Sequence, residues 1–426
     1  MSDALQRFAA DPVLAALFLS FVTACAGALV LLFDRLGGRL GKVVRPSTNK
    51  LASLEGLRGI LACSVVAHHA YCWYFFTQSG EWTTGRSVIF ARLASFGVLQ
   101  FFFVSGFLFW RKLMKRGEIP LGNFYLSRFV RIGPAYYACI GIAILAGLVV
   151  TGFRLQVGVA ALLGSLLPWL LFGAGGWPAV NHADIFRITS GVAWTLTLEW
   201  MFYLLLPFLA WFSRKNWRLL ILLGIFAPLS LVNKYSLFGG VNAGYPHLIG
   251  MELAKFAKFM LIGFGGGILI AALELRIRNW SRAVLSWQNW ILLGLYLAYL
   301  TIPNLDAVTD VFLLAGFALV VQGADLFGFL ASRAVRLLGL ISYPIYLVHG
   351  VVYYTAMKLR GGMHAVALLP YMAETAGCVA AAILLATVIH LLVERPTMKL
   401  SESIARKTAL PQTGLLEPTA QEAASQ

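Results

Sequence analysis

Along the chain, long apolar runs alternate with short basic segments. About 20 apolar residues in a helix cross the hydrocarbon core of a bilayer. Such runs fall at roughly 12–34, 54–76, 88–110, 134–153, 195–213, 218–232, 253–273, 288–303, 308–323, 339–357 and 370–393. The pattern predicts eleven spanning helices. A further apolar stretch, at about 156–173, is ambiguous by hydropathy alone.

Charge resolves the ambiguity. The segments 35–58, 111–131, 214–218, 276–282, 333–336 and the tail from Arg395 hold 24 of the 34 Lys and Arg residues. The positive-inside rule puts these segments on the cytoplasmic side. They alternate correctly only if 134–173 crosses once, so 156–173 is expected to lie on or dip into the outer face. The N-terminus is then outside and the C-terminus cytoplasmic. The first 34 residues lack a basic n-region and a convincing cleavage site, so 12–34 is expected to stay as a helix. The predicted organisation is an extra N-terminal transmembrane helix and basic linker (1–46), a ten-helix membrane domain (47–400) and a polar, disordered cytoplasmic tail (401–426).

Composition agrees. Hydrophobic residues make up 59% and charged residues 12%, against about 45–50% and about 25% in soluble domains. The fold class is an all-α polytopic membrane helix bundle. The net charge of +16 sits in the loops, which suits anionic lipid head groups and a polyanionic cofactor and argues against nucleic acid. The cysteines, Cys25, Cys63, Cys72, Cys139 and Cys378, lie in apolar runs with no CxxC pair. They read as small buried hydrophobes, with no metal site and no disulfide framework.

The candidate chemistry is what the apolar pattern does not explain. In "LEGLRGILACSVVAHHAYCWYFF" (54–76) Arg58 precedes His69 by eleven residues, almost three helical turns, so both share a face. At 1.5 Å per residue His69 lies about 16 Å deeper, near the midplane, where an ionisable side chain is a functional hypothesis. His68 lies off that face. Ser105 and Gly106 form either a packing notch or a polar contact. Arg128 and Arg131, three apart at the cytoplasmic surface, are either ordinary loop charge or a phosphate clamp. Glu199 sits within an apolar run and must be paired or face a cavity. Trp194 and Tyr203 are belt or pocket aromatics, and His349 follows Pro344 inside a span.

The ordered set "RGILACSVVAHH", "FFFVSGF", "SRFVRIGPAYY", "WTLTLEWMFY", "ISYPIYLVH" and "VERP", spanning about 51–397, resembles the acyltransferase-3 family of integral membrane acyltransferases. Arg58 and His69 match that family's Arg, ten residues, His pattern. Gln100 stands where the family usually has an acidic residue, and Thr195 where it usually has Ser. The resemblance implies an O-acyltransferase of the bacterial inner membrane. It would move an acyl group, acetyl by default, from cytoplasmic acyl-CoA to a hydroxyl of a glycan, glycolipid or other lipid-linked acceptor. On that reading Arg58, Arg128, Arg131 and Ser105 hold acetyl-CoA or another acyl-CoA, and His69 is general base or acyl-carrying nucleophile. Glu199 orients His69 or the acceptor from the outer side, and Trp194, Tyr203 and His349 touch the substrate. The alternatives are O-succinyl transfer, a proton-coupled transporter built on the His and Glu residues, or a structural partner in an envelope-glycan complex.

Overall fold

The computed structural model describes residues 12–37, 50–85, 87–116, 121–212, 259–274, 282–303 and 306–407. In chain order the helices are α1 (Pro12–Gly37), α2 (Lys50–Ser79), α3 (Val88–Arg116), α4 (Leu121–Val150), α5 (Val159–Leu170), α6 (Ile185–Ile188) and α7 (Trp194–Phe212). A π-turn (Met260–Phe264) leads into α8 (Gly265–Glu274). Then come α9 (Arg282–Thr301), α10 (Asp306–Gln322), α11 (Arg333–Leu340), α12 (Ser342–Leu359) and α13 (Leu368–Ile389). A second π-turn (His390–Glu394) joins α13 to α14 (Arg395–Lys407). Among the described residues the regular structure is all helical, apart from one bridge between Val180 and Ala183.

Ten of the eleven expected runs fall wholly or partly on described helices; 218–232 lies outside the described residues. By length and hydropathy four helices qualify alone as spans, and α11 with α12, bent by 74°, would make a fifth. Shorter apolar helices, α5, α7, α8 and α10 among them, lie beside these.

The ambiguous stretch forms α5, whose 12 residues extend only about 18 Å, too short to cross. It is pinned to the middle of α4 by Tyr136 and Tyr137, whose hydroxyls donate to the carbonyls of Trp169 and Leu170 at 2.7 and 2.8 Å. Its Val159, Leu163 and Leu167 face outward.

Three boundaries differ from the sequence reading. Helix α4 begins at Leu121, well before Pro134, so Arg128 and Arg131 stand on a helix and not in a loop. The run expected over 339–357 is broken at Ile341, three residues before Pro344. Pro344 falls in the first turn of α12, where its missing N–H leaves no bond unmade. The expected disordered tail from 401 is helical through Lys407, and 408–426 lies outside the described residues.

Helix α2 is the central post. It packs against α3, α11 and α12, and α8 lies along α3. Backbones meet closely at α3 and α8: a Cβ on Gly106 would stand 2.3 Å from the Phe264 carbonyl, and one on Gly267 2.2 Å from that of Phe103. Small residues let helices approach where lipid supplies no hydrophobic drive, so "GFGGG" and Gly106 are packing features. Gly106→Val is expected to cost about 1–3 kcal/mol or more through overpacking. A lower unfolding midpoint of the detergent-solubilised protein would read it out; an unchanged midpoint would contradict this packing.

Candidate functional site

Helix α2 carries Arg58 and His69 on one continuous helix, so the spacing in sequence is a real separation of about 16 Å. Around its middle, three histidines meet. His349 Nε2 lies 2.9 Å from His69 Nδ1, the rings stacked at 5.0 Å. His349 Nδ1 lies 3.1 Å from the Ile345 carbonyl. A carbonyl only accepts, so Nδ1 of His349 carries the proton and its Nε2 is the acceptor. His69 then donates from Nδ1. The network therefore leaves a lone pair on His69 Nε2, the tautomer a base or nucleophile requires.

His68 points elsewhere. Its Nδ1 donates to the Phe90 carbonyl at 2.7 Å, and Cys72 Sγ lies 3.5 Å from its Nε2. Both nitrogens are thus committed to α2–α3 packing. His68→Gln is expected to reduce turnover by less than about tenfold, since one neutral hydrogen bond contributes about 1 kcal/mol. A loss as large as that of His69→Ala would reverse the assignment.

A cavity of about 250 Å³ opens among α2, α3, α4, α7 and α12. Its lining includes Arg58, Ser105, Lys112, Arg128 and Arg131, with Glu199, Tyr203 and Glu394. Four cations face two carboxylates, so the cavity carries net positive charge and suits a polyanion. The Tyr203 hydroxyl donates to Glu199, and the Arg128 guanidinium lies 5.0 Å from the Phe109 ring centre. Both sit one turn apart on α7 because Glu199 and Tyr203 are four residues apart. The apolar end of the cavity reaches Phe101, Thr195 and Tyr346. Thr195 Oγ1 and the Tyr346 hydroxyl are 3.0 Å apart. Tyr346 is three residues before His349 on α12, so about one helical turn separates the cavity's inner wall from the histidine pair.

The structure thus gathers Arg58, Arg128, Arg131, Ser105, Glu199 and Tyr203 around one cavity. Three residues stand apart from their expected places. Glu199, expected to orient His69 or the acceptor from the outer side, lies with the arginines, and His349 occupies the place beside His69. His349, expected to touch substrate, is the partner of His69. Trp194 packs on Phe259 at 5.3 Å, outside the cavity lining. Gln100 is fully buried and accepts from the Tyr296 hydroxyl at 2.7 Å, a packing contact.

Sequence reasoning missed Lys112 and Glu394. Lys112 looked like one more loop charge. Glu394 is turned toward the cavity by the π-turn, which shifts the helix register and often marks functional sites. It pairs with His390, Nδ1 to Oε2 at 2.6 Å. The i, i+4 spacing of His390 and Glu394 and the place of Glu394 in "VERP" were the signals available.

Two relatives and one family model match this chain. Nodulation protein 10 of Rhizobium leguminosarum bv. viciae is 28% identical over 376 residues, covering 82% of this chain and 94% of that protein. Peptidoglycan O-acetyltransferase OatA of Listeria monocytogenes is 25% identical over 198 residues, covering 43% of this chain and 29% of that protein. No solved structure matches. The family model described as an acyltransferase domain matches residues 51–391, the span that carries the arginines, the histidine pair and all of the cavity lining but Glu394. The chain belongs to the acyltransferase-3 family and is an integral membrane acyltransferase.

Proposed function

We propose that the protein takes an acetyl group from acetyl-CoA in the arginine-lined cavity and passes it to a hydroxyl of a glycan or glycolipid at the other end of α2. Acetyl is favoured because one relative is named an O-acetyltransferase. The observation that carries the reading is the His69–His349 pair, set about one turn beyond a cationic cavity. Positive-inside charge makes the cavity end cytoplasmic, in the bacterial cell membrane.

Arg58, Arg128 and Arg131 hold the phosphates of CoA, since guanidinium groups bond phosphate oxygens in pairs. Glu199, held by Tyr203, keeps the arginine side chains apart and oriented. The pantetheine arm runs along Ser105 and Phe101 to Tyr346, and the thioester reaches His69 past that side chain. His69 Nε2 takes the proton of the acceptor hydroxyl as its oxygen attacks the thioester carbonyl carbon. A C–O bond forms, the C–S bond breaks, and the imidazolium returns the proton to the departing thiolate. The charge that His69 gains in this step is stabilised through its Nδ1–H bond to the neutral acceptor nitrogen of His349.

Protein in nanodiscs with radiolabelled acetyl-CoA and peptidoglycan fragments tests this. Label is expected to appear as ester on the glycan with release of one CoA thiol per ester. Net movement of a solute through liposomes without acyl-CoA, and no ester, would favour a transporter and remove the proposal.

A further inference from the structure

We propose that Trp82 and the aromatic residues beneath it form the acceptor subsite, a platform on which a pyranose ring stacks with one hydroxyl directed at His69. The proposal deepens the reading above and rests on His69 as the base.

His69 is partly exposed but does not line the cationic cavity. An acceptor therefore needs its own approach to Nε2. At the end of α2 remote from Arg58, Trp82 stands nearly parallel to the His69 ring, 19° between planes and 6.4 Å between centres. Its indole is set edge-on against Trp73 at 4.8 Å and Phe76 at 5.8 Å. Trp73 is buried and fixed in turn, its indole N–H donating to Ser190 Oγ at 3.0 Å.

The loop holds Trp82 by local chemistry. Gly80 ends α2 in the left-handed region, φ +75°, with its N–H on the Phe76 carbonyl at 2.8 Å. Gly85, φ +56°, turns the chain back against Phe75. Between them the backbone N–H of Thr83 bonds the Glu81 carbonyl, and that of Gly85 bonds Thr83 Oγ1. The indole is thus preorganised, which lowers the ordering cost of binding.

The loop that anchors Trp73 is itself held in a strained conformation. Ser190 holds φ +54°, a region costly for a residue with a Cβ. The 189–190 backbone presses on Gly350, beside His349: a Cβ there would stand 2.3 Å from the Thr189 carbonyl carbon. Strain of this kind persists where the surroundings enforce it, and here it fixes the segment that anchors Trp73 and abuts Gly350 next to His349. Arg187 lies over Phe76 at 5.2 Å and Lys358 over Tyr354 at 5.6 Å, so the rim offers donors around the aromatic floor. A flat apolar floor with a polar rim matches a sugar ring, which presents C–H groups on its faces and hydroxyls at its edge.

Saturation-transfer NMR without acyl-CoA tests the subsite independently of catalysis. The probes are chitotetraose and cellotetraose with the nanodisc-embedded protein, as wild type, His69→Ala, Trp82→Ala and Trp82→Tyr. Transfer to ring C–H protons is expected for wild type, His69→Ala and Trp82→Tyr, with at least tenfold weaker binding in Trp82→Ala. No transfer to either sugar in the wild type, or undiminished transfer in Trp82→Ala, overturns the subsite. Sugar binding without any ester formation from acetyl-CoA would keep the subsite and count against the donor reading alone.

Discussion

Replacing His69 with alanine is expected to stop acyl transfer while leaving the fold intact. General-base catalysis contributes about 10²–10⁴-fold, so kcat should fall at least by that range. His69 packs among His68, His349 and Trp82, so circular dichroism and the unfolding midpoint of the variant accompany the rate measurement. His349→Ala should cost less, about 10- to 150-fold, because it removes one hydrogen bond to a group charged in the transition state, about 1.5–3 kcal/mol. The two losses should not add, since His349 acts only through His69. Initial rates of ester formation for the two single variants and the double variant provide the check. Full activity in folded His69→Ala protein would remove the site. Additive losses would show that His349 works on its own.

The second large effect is on donor binding. Arg58→Ala and Arg131→Ala should each weaken a non-hydrolysable acyl-CoA analogue by about 10- to 150-fold. The basis is about 1.5–3 kcal/mol per charge-assisted bond, with 1.4 kcal/mol equal to tenfold in Kd. Both residues line the cavity and are only partly buried, so a clear calorimetric signal is expected. Arg128 is a poorer probe because it is buried. Its loss would leave Glu199 short of a counter-charge and blur binding with stability. Unchanged affinity in Arg58→Ala and Arg131→Ala would move the donor away from this cavity.

These effects depend on features that were unequally visible in the sequence. The all-helical membrane class was legible, because burial in lipid demands long apolar runs and permits only helices or closed barrels. So was the alignment of Arg58 with His69, since a single uninterrupted helix fixes both their face and their separation. Arg128 and Arg131 were legible as a pair for the same reason, although the helix that carries them starts earlier than the apolar run suggested. The short helix α5 was legible from the alternation of charge, which left no room for another crossing.

What sequence could not supply was which helices meet. His349 lies 280 residues from His69, and nothing local marks one as the other's partner. Glu199 followed the rule that a buried carboxylate must be paired, but its partner was a matter of packing; it found Tyr203 and the arginine cavity instead of His69. Glu394 needed a register shift that hydropathy does not encode. Sequence alone determined the solvent each segment must occupy and the spacing of groups along each helix, because both follow from covalent geometry and transfer free energy. Tertiary structure alone decided which nitrogen of His69 is free and which side chains share a cavity, because those depend on contacts between helices distant in the chain.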